Sequence, residues 1–385
     1  MSARDDPGRA AVPVATVGFT GPAGEPGGRR HPLPKLADPN APLLVVEGLK
    51  TYFTLGGATV HAVDDVSFTL AHGEALGIAG ESGCGKTTTA LSLVRLLPPN
   101  GKIVGGSVKL YGIDLVAKSE SALRRYRWRE ISIVFQGAMN ALNPVSRIAD
   151  QIAEPIEQRL SVPKATARKR AGELLELVGI PKARGRAYPH ELSGGMRQRA
   201  MIAMALACDP AIVIGDEPTT ALDVMVQAQI LELLEKLRRR LGLSLILITH
   251  DLSVIAETCD RVLVMYAGRV AEEGPVTEVF RSPRHPYTQK LLGAFPNIAA
   301  GRRSLDVIPG SPPDLREPPP GCRFAPRCRA AMPVCTEQVP SERTFGKVRV
   351  ACHLYGPGSD GSPVVASPTA DGTAPSEAAA PGGGR

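Results

Sequence analysis

No stretch of the 385-residue sequence approaches the roughly 18–20 consecutive apolar residues that a membrane-spanning helix needs. The richest run, Ala200–Ala207, stops at Cys208, Asp209 and Pro210. The amino-terminal segment lacks the apolar core of a secretory signal, so the expected location is the cytosol. There is no internal repeat of 20–50 residues, which sets aside solenoids and propellers. Nor does one sign of charge dominate. A net charge of +7 permits nucleic acid, anionic lipid or phosphate ligands and selects none of them. Both ends are short of core-forming side chains. Residues 1–42 hold 8 Pro and 6 Gly, residues 356–385 hold 5 Pro and 7 Gly, and both read as disordered tails.

What remains, residues 43–355, has ordinary globular composition and can bury a sizeable core. It alternates β-like and helical runs. Leu43–Leu49, Val60–Leu70, Ala75–Ala79, Ile131–Phe135, Ala211–Gly215, Leu243–Thr249 and Arg261–Tyr266 are expected strands. Lys86–Leu97, Ser146–Leu160, Thr166–Val178, Gly194–Ala207 and Asp223–Leu241 are expected helices. In the last of these, Asp223 serves as N-cap, Ile230, Leu234, Leu237 and Leu241 form the stripe, and Gly242 is the stop. Such alternation predicts an α/β sheet with parallel strands.

Between an expected strand and an expected helix lies Gly80-Glu81-Ser82-Gly83-Cys84-Gly85-Lys86-Thr87-Thr88, a match to G-x-x-x-x-G-K-[ST] in the context that the motif requires. Glycines let the backbone amides wrap a phosphate chain, and the helix amino terminus adds a favourable dipole. Lys86 is placed to bridge phosphate oxygens and Thr87 to offer a hydroxyl to Mg²⁺. A second apolar strand ends in Asp216-Glu217. Asp216 is expected to hold Mg²⁺ through water, and Glu217 to orient or deprotonate the attacking water. Together these indicate an Mg-dependent P-loop NTPase.

Further motifs bear a resemblance to one family. Leu192-Ser193-Gly194-Gly195-Met196-Arg197-Gln198 resembles the signature of ABC-type ATPases. Gln136 follows a strand as in the family's Q-loop, Thr220-Ala221-Leu222-Asp223 resembles the D-loop, and His250 resembles the switch histidine. Phe53, or its neighbour Tyr52, stands where an aromatic ring would stack on adenine. The resemblance covers about residues 43–280. It implies catalytic roles for Glu217, His250, Gln136 and Lys86, and Mg²⁺ ligation by Thr87, Gln136 and Asp216. It also implies that Ser193, Gly194 and Gly195 close over the nucleotide of a second ATPase domain, in a homodimer or heterodimer. Two departures stand out. Gly137-Ala138-Met139 follows Gln136 where many relatives have Asp-Pro, and Cys84 takes a P-loop position where Ser is frequent. At Cys84 a small, tolerated side chain is the expectation; the alternative is that phosphate-site donors lower its thiol pKa and make it open to alkylation.

Four cysteines crowd the carboxyl-terminal part as C-x5-C-x6-C-x16-C: Cys322, Cys328, Cys335 and Cys352. Clustered Cys in a cytosolic chain points to metal before disulfides. The spacing leaves zinc, an iron–sulfur cluster and no metal at all open. Arg284-His285-Pro286-Tyr287-Thr288 and the cysteine run resemble the oligopeptide/dipeptide importer branch, and that resemblance implies a [4Fe–4S] cluster. The basic run Arg124–Arg129 interleaves aromatics, but nothing else supports nucleic acid. A solvated face, or one toward lipid or a membrane partner, is the expectation.

The expected organisation is therefore an α/β P-loop NTPase of the ABC type. It has a tail over residues 1–42, an ATPase domain over 43–282 with a helical subdomain at about 137–205, a small Cys-rich metal module over 283–355, and a second tail. By resemblance it would hydrolyse ATP for a bacterial importer of peptides, or of nickel, glutathione or sugars. It would sit peripherally on the cytoplasmic face of the cell membrane against two permease subunits, and answer indirectly to an extracytoplasmic substrate-binding protein. Repair ATPases of this type insert a long coiled coil between Lys86 and Asp216, and translation types carry two motif sets. This sequence has neither.

Overall fold

The computed structural model describes residues 41–135, 137, 141–219, 222–294 and 308–356. Two sheets share the core. The first runs β2-β1-β4-β5, with β1 (Leu44–Leu55), β2 (Ala58–Leu70), β4 (Gly101–Leu110) and β5 (Ile113–Asp114), all antiparallel. The second has eight strands in the order β11-β12-β10-β9-β3-β8-β7-β6. Its parallel half comprises β3 (Ala75–Ala79), β6 (Ile131–Val134), β7 (Ile212–Asp216), β8 (Ser244–Ile248) and β9 (Arg261–Tyr266). The residues of β3, β7 and β8 are buried throughout, as expected of parallel strands covered on both faces.

α1 (Lys86–Leu93) packs between the two sheets, where Ala90 and Leu93 join Leu44, Leu49, Phe68, Leu76 and Ile78. α2 (Glu120–Leu123) is a single turn. α3 (Ile148–Leu160), α4 (Lys164–Leu177) and α5 (Gly194–Ala205) pack on one another through Ile152, Ile156, Leu174, Leu175, Ala200 and Met201. α6 (Val224–Leu241) lays Ile230, Leu231, Leu234 and Leu237 on the same core. Burying each such side chain is worth about 1.5–3 kcal/mol. Asp223 caps α6 by accepting the Val226 amide at 3.0 Å, and Gly242 ends it at φ 64°, as the sequence predicts.

Three expectations need correction. α1 ends at Leu93, before Leu97: Arg95 turns left-handed at φ 51° and gives its guanidinium to the Leu115 and Lys118 carbonyls. The main sheet is not wholly parallel, because β10 (Arg269–Pro275) enters antiparallel, and β4 lies in the other, antiparallel sheet. β4 contains Gly101, Gly105 and Gly106, a composition that masks a strand in sequence. The carboxyl-terminal segment is also not a separate layer. Its hairpin, β11 (Glu342–Phe345) and β12 (Val348–Ala351), extends the main sheet by pairing β12 with β10. Arg349 of β12 reaches Glu273 of β10, which also pairs with Arg261 of β9. α7 (Leu252–Thr258), α8 (Val276–Arg281), α9 (Pro286–Gly293) and α10 (Pro333–Glu337) complete the described elements. No described helix is long and apolar enough to cross a membrane.

Candidate functional site

Adjacent strands β3, β8 and β7 end at one edge of the sheet, and each delivers part of the site. This is the edge at which open parallel sheets bind ligands. After β3 the chain curls through Gly80 (φ 148°), Gly83 (φ 76°) and Gly85 (φ 102°) into α1. A Cβ at Gly80 would stand 2.2 Å from the Met265 carbonyl oxygen, and one at Gly85 2.3 Å from that of Ala62. Only glycine passes at those two points. Lys86 is buried, its Nζ donating to the carbonyls of Gly80 at 2.7 Å and Glu81 at 3.0 Å. The ammonium is thus held within the curl rather than in solvent.

Thr87 Oγ1 donates to Asp216 Oδ1 at 3.1 Å, so the helix after β3 and the end of β7 meet at a hydroxyl–carboxylate pair 129 positions apart in sequence. Burial pushes the Asp216 carboxyl up. The Thr87 bond opposes that shift, the Glu217 charge reinforces it and the Lys86 charge opposes it. An oxygen pair of this kind, a buried carboxylate and an exposed hydroxyl beside an ammonium, suits a hard cation such as Mg²⁺. Glu217 adopts φ 47°, a left-handed backbone that is uncommon for non-glycine residues. Its amide is tied to the Ile248 carbonyl at 2.9 Å, and its Oε1 lies 3.3 Å from Nδ1 of His250, just beyond β8. β6 ends at Val134, but Gln136 lies outside the described residues, as do Thr220 and Ala221 of the D-loop segment.

Ser193 caps α5, its Oγ accepting the Met196 amide at 3.3 Å. A Cβ on Gly195 would come within 2.8 Å of Val226. Among the described residues, Ser193, Gly194 and Gly195 make no hydrogen bond to their own chain's P-loop. They present a helix amino terminus elsewhere.

The two aromatic candidates differ in their surroundings. Tyr52 stacks on His61 at 4.2 Å and donates to Asp64 at 2.9 Å. Asp64 is linked through its amide to Gly268, whose amide donates to the Cys84 carbonyl of the P-loop. Phe53 covers Gly101 at the start of β4. Tyr52 is therefore the ring connected to the phosphate loop.

At Cys84 the alternative of a lowered thiol pKa fails. The residue is 4% exposed, and burial pushes its thiol up, more than the nearby Lys86 charge lowers it. Arg127 donates to the Val94 and Arg95 carbonyls and pairs with Glu120.

Around the cysteines, the backbone amides of Phe324 and Ala325 work to lower the Cys322 thiol pKa, that of Ala330 the Cys328 thiol and that of Leu354 the Cys352 thiol. The Met332 amide donates to Cys335 Sγ at 3.4 Å. Burial raises the thiols of Cys322, Cys328 and Cys352, the last to about 12, and the four sulfurs influence one another electrostatically. Among the described residues, however, no group of three or more His, Cys, Asp or Glu side chains is arranged to hold a metal ion. The metal module expected from spacing is therefore present as a neighbourhood of thiols and not as a formed coordination shell.

The sequence reading missed two contributors to the P-loop. Tyr287 Oη accepts the Glu81 amide at 2.9 Å, and Arg327 pairs with the Glu81 carboxylate. They lie 206 and 246 positions from Glu81, and no local pattern signals such contacts.

Comparison with known proteins agrees with this geometry. Residues 63–220 match the ABC transporter family, and residues 271–335 match the oligopeptide/dipeptide transporter, C-terminal region. The chain is 50% identical over 309 residues to a Sinorhizobium fredii protein named as a peptide ABC transporter ATP-binding protein, a match that covers 79% of this chain and 92% of the relative. It is 51% identical over 302 residues to a Brucella abortus protein named for peptide import and ATP binding, covering 78% and 91%. Among solved structures, an ATP-binding cassette in a dimeric post-hydrolysis state with ADP and Pi matches with TM-score 0.55 and 28% identity, covering 60% of this chain and 98% of that one. CbiO1 of Clostridium perfringens, part of an ABC transporter complex, matches at 0.54 and 30%, covering 63% and 91%. The chain belongs to the ABC transporter family of ATP-binding proteins, in the branch that carries the oligopeptide/dipeptide carboxyl-terminal region.

Proposed function

We propose that the chain is the ATP-hydrolysing subunit of an importer of peptides. The reading is carried by the single edge where Lys86, Thr87, Asp216, Glu217 and His250 converge. In this reading the P-loop residues Gly80, Glu81, Ser82, Gly83, Cys84, Gly85, Lys86, Thr87 and Thr88 wrap the nucleotide phosphates. Tyr52, in preference to Phe53, stacks on the adenine. Mg²⁺, when bound, screens the phosphate charge and orients the terminal phosphate; Thr87, Asp216 and Gln136 would hold it. Glu217 orients the attacking water and takes its proton, and His250, in contact with Glu217, keeps that carboxylate aimed. Ser193, Gly194 and Gly195, turned away from their own P-loop, serve the nucleotide of a second ATPase subunit, homologous or identical. Closure of the pair around ATP and its release after hydrolysis would drive two membrane permeases from the cytoplasmic face of the inner membrane. A binding protein on the far side would deliver the solute.

We keep residues 43–282 as the ATPase domain, 137–205 as its helical subdomain and 283–355 as the carboxyl-terminal addition, with tails at 1–42 and 356–385. The donor chemistry of the four thiols fits a [4Fe–4S] cluster: the Met332 N–H donates to Cys335 Sγ, and nearby backbone amides lower the pKa of Cys322, Cys328 and Cys352 against burial, which favours the thiolate. Cys322, Cys328, Cys335 and Cys352 would hold it, with zinc as the alternative. Its contribution would be to cross-link a Pro-rich segment poor in apolar side chains. The complex purified with its permeases and binding protein tests the transport reading. Peptides on the binding protein should stimulate ATP hydrolysis, and stimulation by nickel, glutathione or a sugar with none by peptides would replace the substrate class.

A further inference from the structure

One side chain of the cysteine segment, that of Arg327, bonds the phosphate loop directly. Arg327 closes the short turn Ala325–Arg327, immediately before Cys328. Its Nη1 and Nη2 donate to Oε2 and Oε1 of Glu81 at 2.7 and 3.1 Å, a two-pronged pair of the kind that fixes a carboxylate in plane. The guanidinium also donates to Tyr266 Oη at 3.1 Å and to the Pro309 carbonyl at 2.8 Å. The Arg327 side chain is 6% exposed and that of Glu81 23%. The backbone of the same residue is held from the other side, where the Glu81 amide donates to Tyr287 Oη. Tyr287 is fully buried against Tyr266 and against Phe324 of the cysteine segment, with ring centroids 4.6 and 5.4 Å apart. Glu81 is the second residue of the loop that curls around Lys86, whose Nζ rests on the Glu81 carbonyl. A carboxylate on this loop carries the same sign of charge as a polyphosphate, and like charges at close range repel.

We infer that Arg327 is a positioning residue for nucleotide binding. It neutralises Glu81 and turns it away from the phosphates, so that nucleotide affinity depends on how the cysteine segment is seated. A second tie lies beside it: Arg323, next to Cys322, donates to Asp64 at 2.6 Å and to the Ala267 carbonyl, and the following Gly268 bonds the Cys84 carbonyl. The cysteine segment therefore braces the P-loop at its entry and near its end. This inference rests on the nucleotide reading of the loop.

The test is titration of the full-length wild type, R327Q, E81Q, E81Q/R327Q and R329Q with MgATP and with adenosine, alongside their melting temperatures. R327Q should weaken MgATP about tenfold, the equivalent of roughly 1.4 kcal/mol, while changing adenosine binding less than twofold. E81Q/R327Q should return to within about twofold of E81Q, because no carboxylate remains to repel phosphate. R329Q should bind as wild type. Unchanged MgATP affinity in R327Q overturns the inference. So does a loss that spares no ligand, tracks a lowered melting temperature and persists in the double variant, since that assigns Arg327 to folding alone. A wild type that binds no MgATP overturns the nucleotide reading itself and this inference with it, an outcome separate from wild-type binding with an unaffected R327Q.

Discussion

The carboxyl edge of the parallel sheet and the cysteine segment touch the same loop but are built on opposite plans. At the sheet edge, strand order does the positioning. β3, β8 and β7 are neighbours, so residues that follow each strand directly arrive together with little help from side chains. In the cysteine segment, Gly321 to Tyr355, long-range side-chain contacts do the positioning: Arg323 to Asp64, Arg327 to Glu81 and Arg349 to Glu273. Regular structure there amounts to the short turn Ala325–Arg327, the five-residue α10 and the β11–β12 hairpin. The first plan tolerates the loss of any one side chain without losing its shape. The second relies on a few ion pairs and on whatever joins its thiols.

The largest effect should come at the sheet edge, without loss of structure. Glu217→Gln keeps the size and the tie between the residue-217 amide and Ile248 but removes the group that we assign to accept the proton. ATP should still bind while turnover falls by ~10²–10⁴-fold, measured as single-turnover hydrolysis. Near-normal turnover would move the base elsewhere and leave the left-handed backbone at Glu217 without a catalytic reason.

The cysteine segment should respond in the opposite way, losing structure before chemistry. Protein purified anaerobically should carry about four iron with matching sulfide per chain, the stoichiometry of the proposed cluster. Removing that metal should open hydrogen exchange in β11 and β12 while β7 and β8 stay protected, because those two strands draw on a core (Val213, Leu245, Leu247) to which the four clustered cysteines do not belong. Stoichiometric zinc without sulfide would replace the cluster, and uniform loss of protection would erase the contrast between the two plans.

This contrast also explains what could be read from the sequence. The P-loop, the Asp216-Glu217 strand end and the α6 caps are contiguous patterns whose chemistry is local, so each carries its own signal. β9 is found at its expected bounds, Arg261–Tyr266. Tyr287 and Arg327 act on Glu81 from far along the chain, and a lone Tyr or Arg advertises nothing of its partner. β4 and β10 were hidden for a different reason: glycines in one, and Glu272-Glu273 in the other, disguise strands whose burial is settled by tertiary pairing. Those two carboxylates are buried because Glu272 accepts the Arg284 and His285 amides and Glu273 meets two arginines.

His285 gives a finer probe of the junction between the plans. It is fully buried, caps α9 by accepting the Tyr287 amide on Nδ1 at 3.0 Å, and burial lowers its pKa from 6.5 to about 4. An unfolded chain binds the proton at higher pH than the folded one does, so this residue destabilises the fold as pH drops from 6.5 toward 4, by about 3 kcal/mol in full. Its neighbour Glu272 is shifted up by burial and works in the opposite direction, so the difference between variants is the informative quantity. His285→Asn supplies an oxygen to the same cap without titrating. Its stability should fall less steeply over that range, by about one proton, in chemical denaturation at stepped pH. Parallel pH profiles for the two proteins would place the imidazole in a wetter site than the fold gives it.

The smallest effect is expected at Cys84, and its smallness is the point. Cys84 sits in the loop where amides and Lys86 favour negative charge, yet the Lys86 ammonium is 3.8 Å from the sulfur and already spends its stronger bonds on two carbonyls. Closure of Gly80 and Tyr287 around the sulfur removes water from it, and desolvation outweighs the attraction. A thiolate is the reactive form, so a raised pKa and a buried sulfur both slow alkylation. Iodoacetamide at neutral pH, followed by peptide mass spectrometry, should label Cys84 in unfolded but not in native protein, with or without ATP. Rapid native labelling that ATP suppresses would show that the loop opens far enough to hydrate the sulfur, and the sheet edge would then owe its shape to bound nucleotide rather than to strand order.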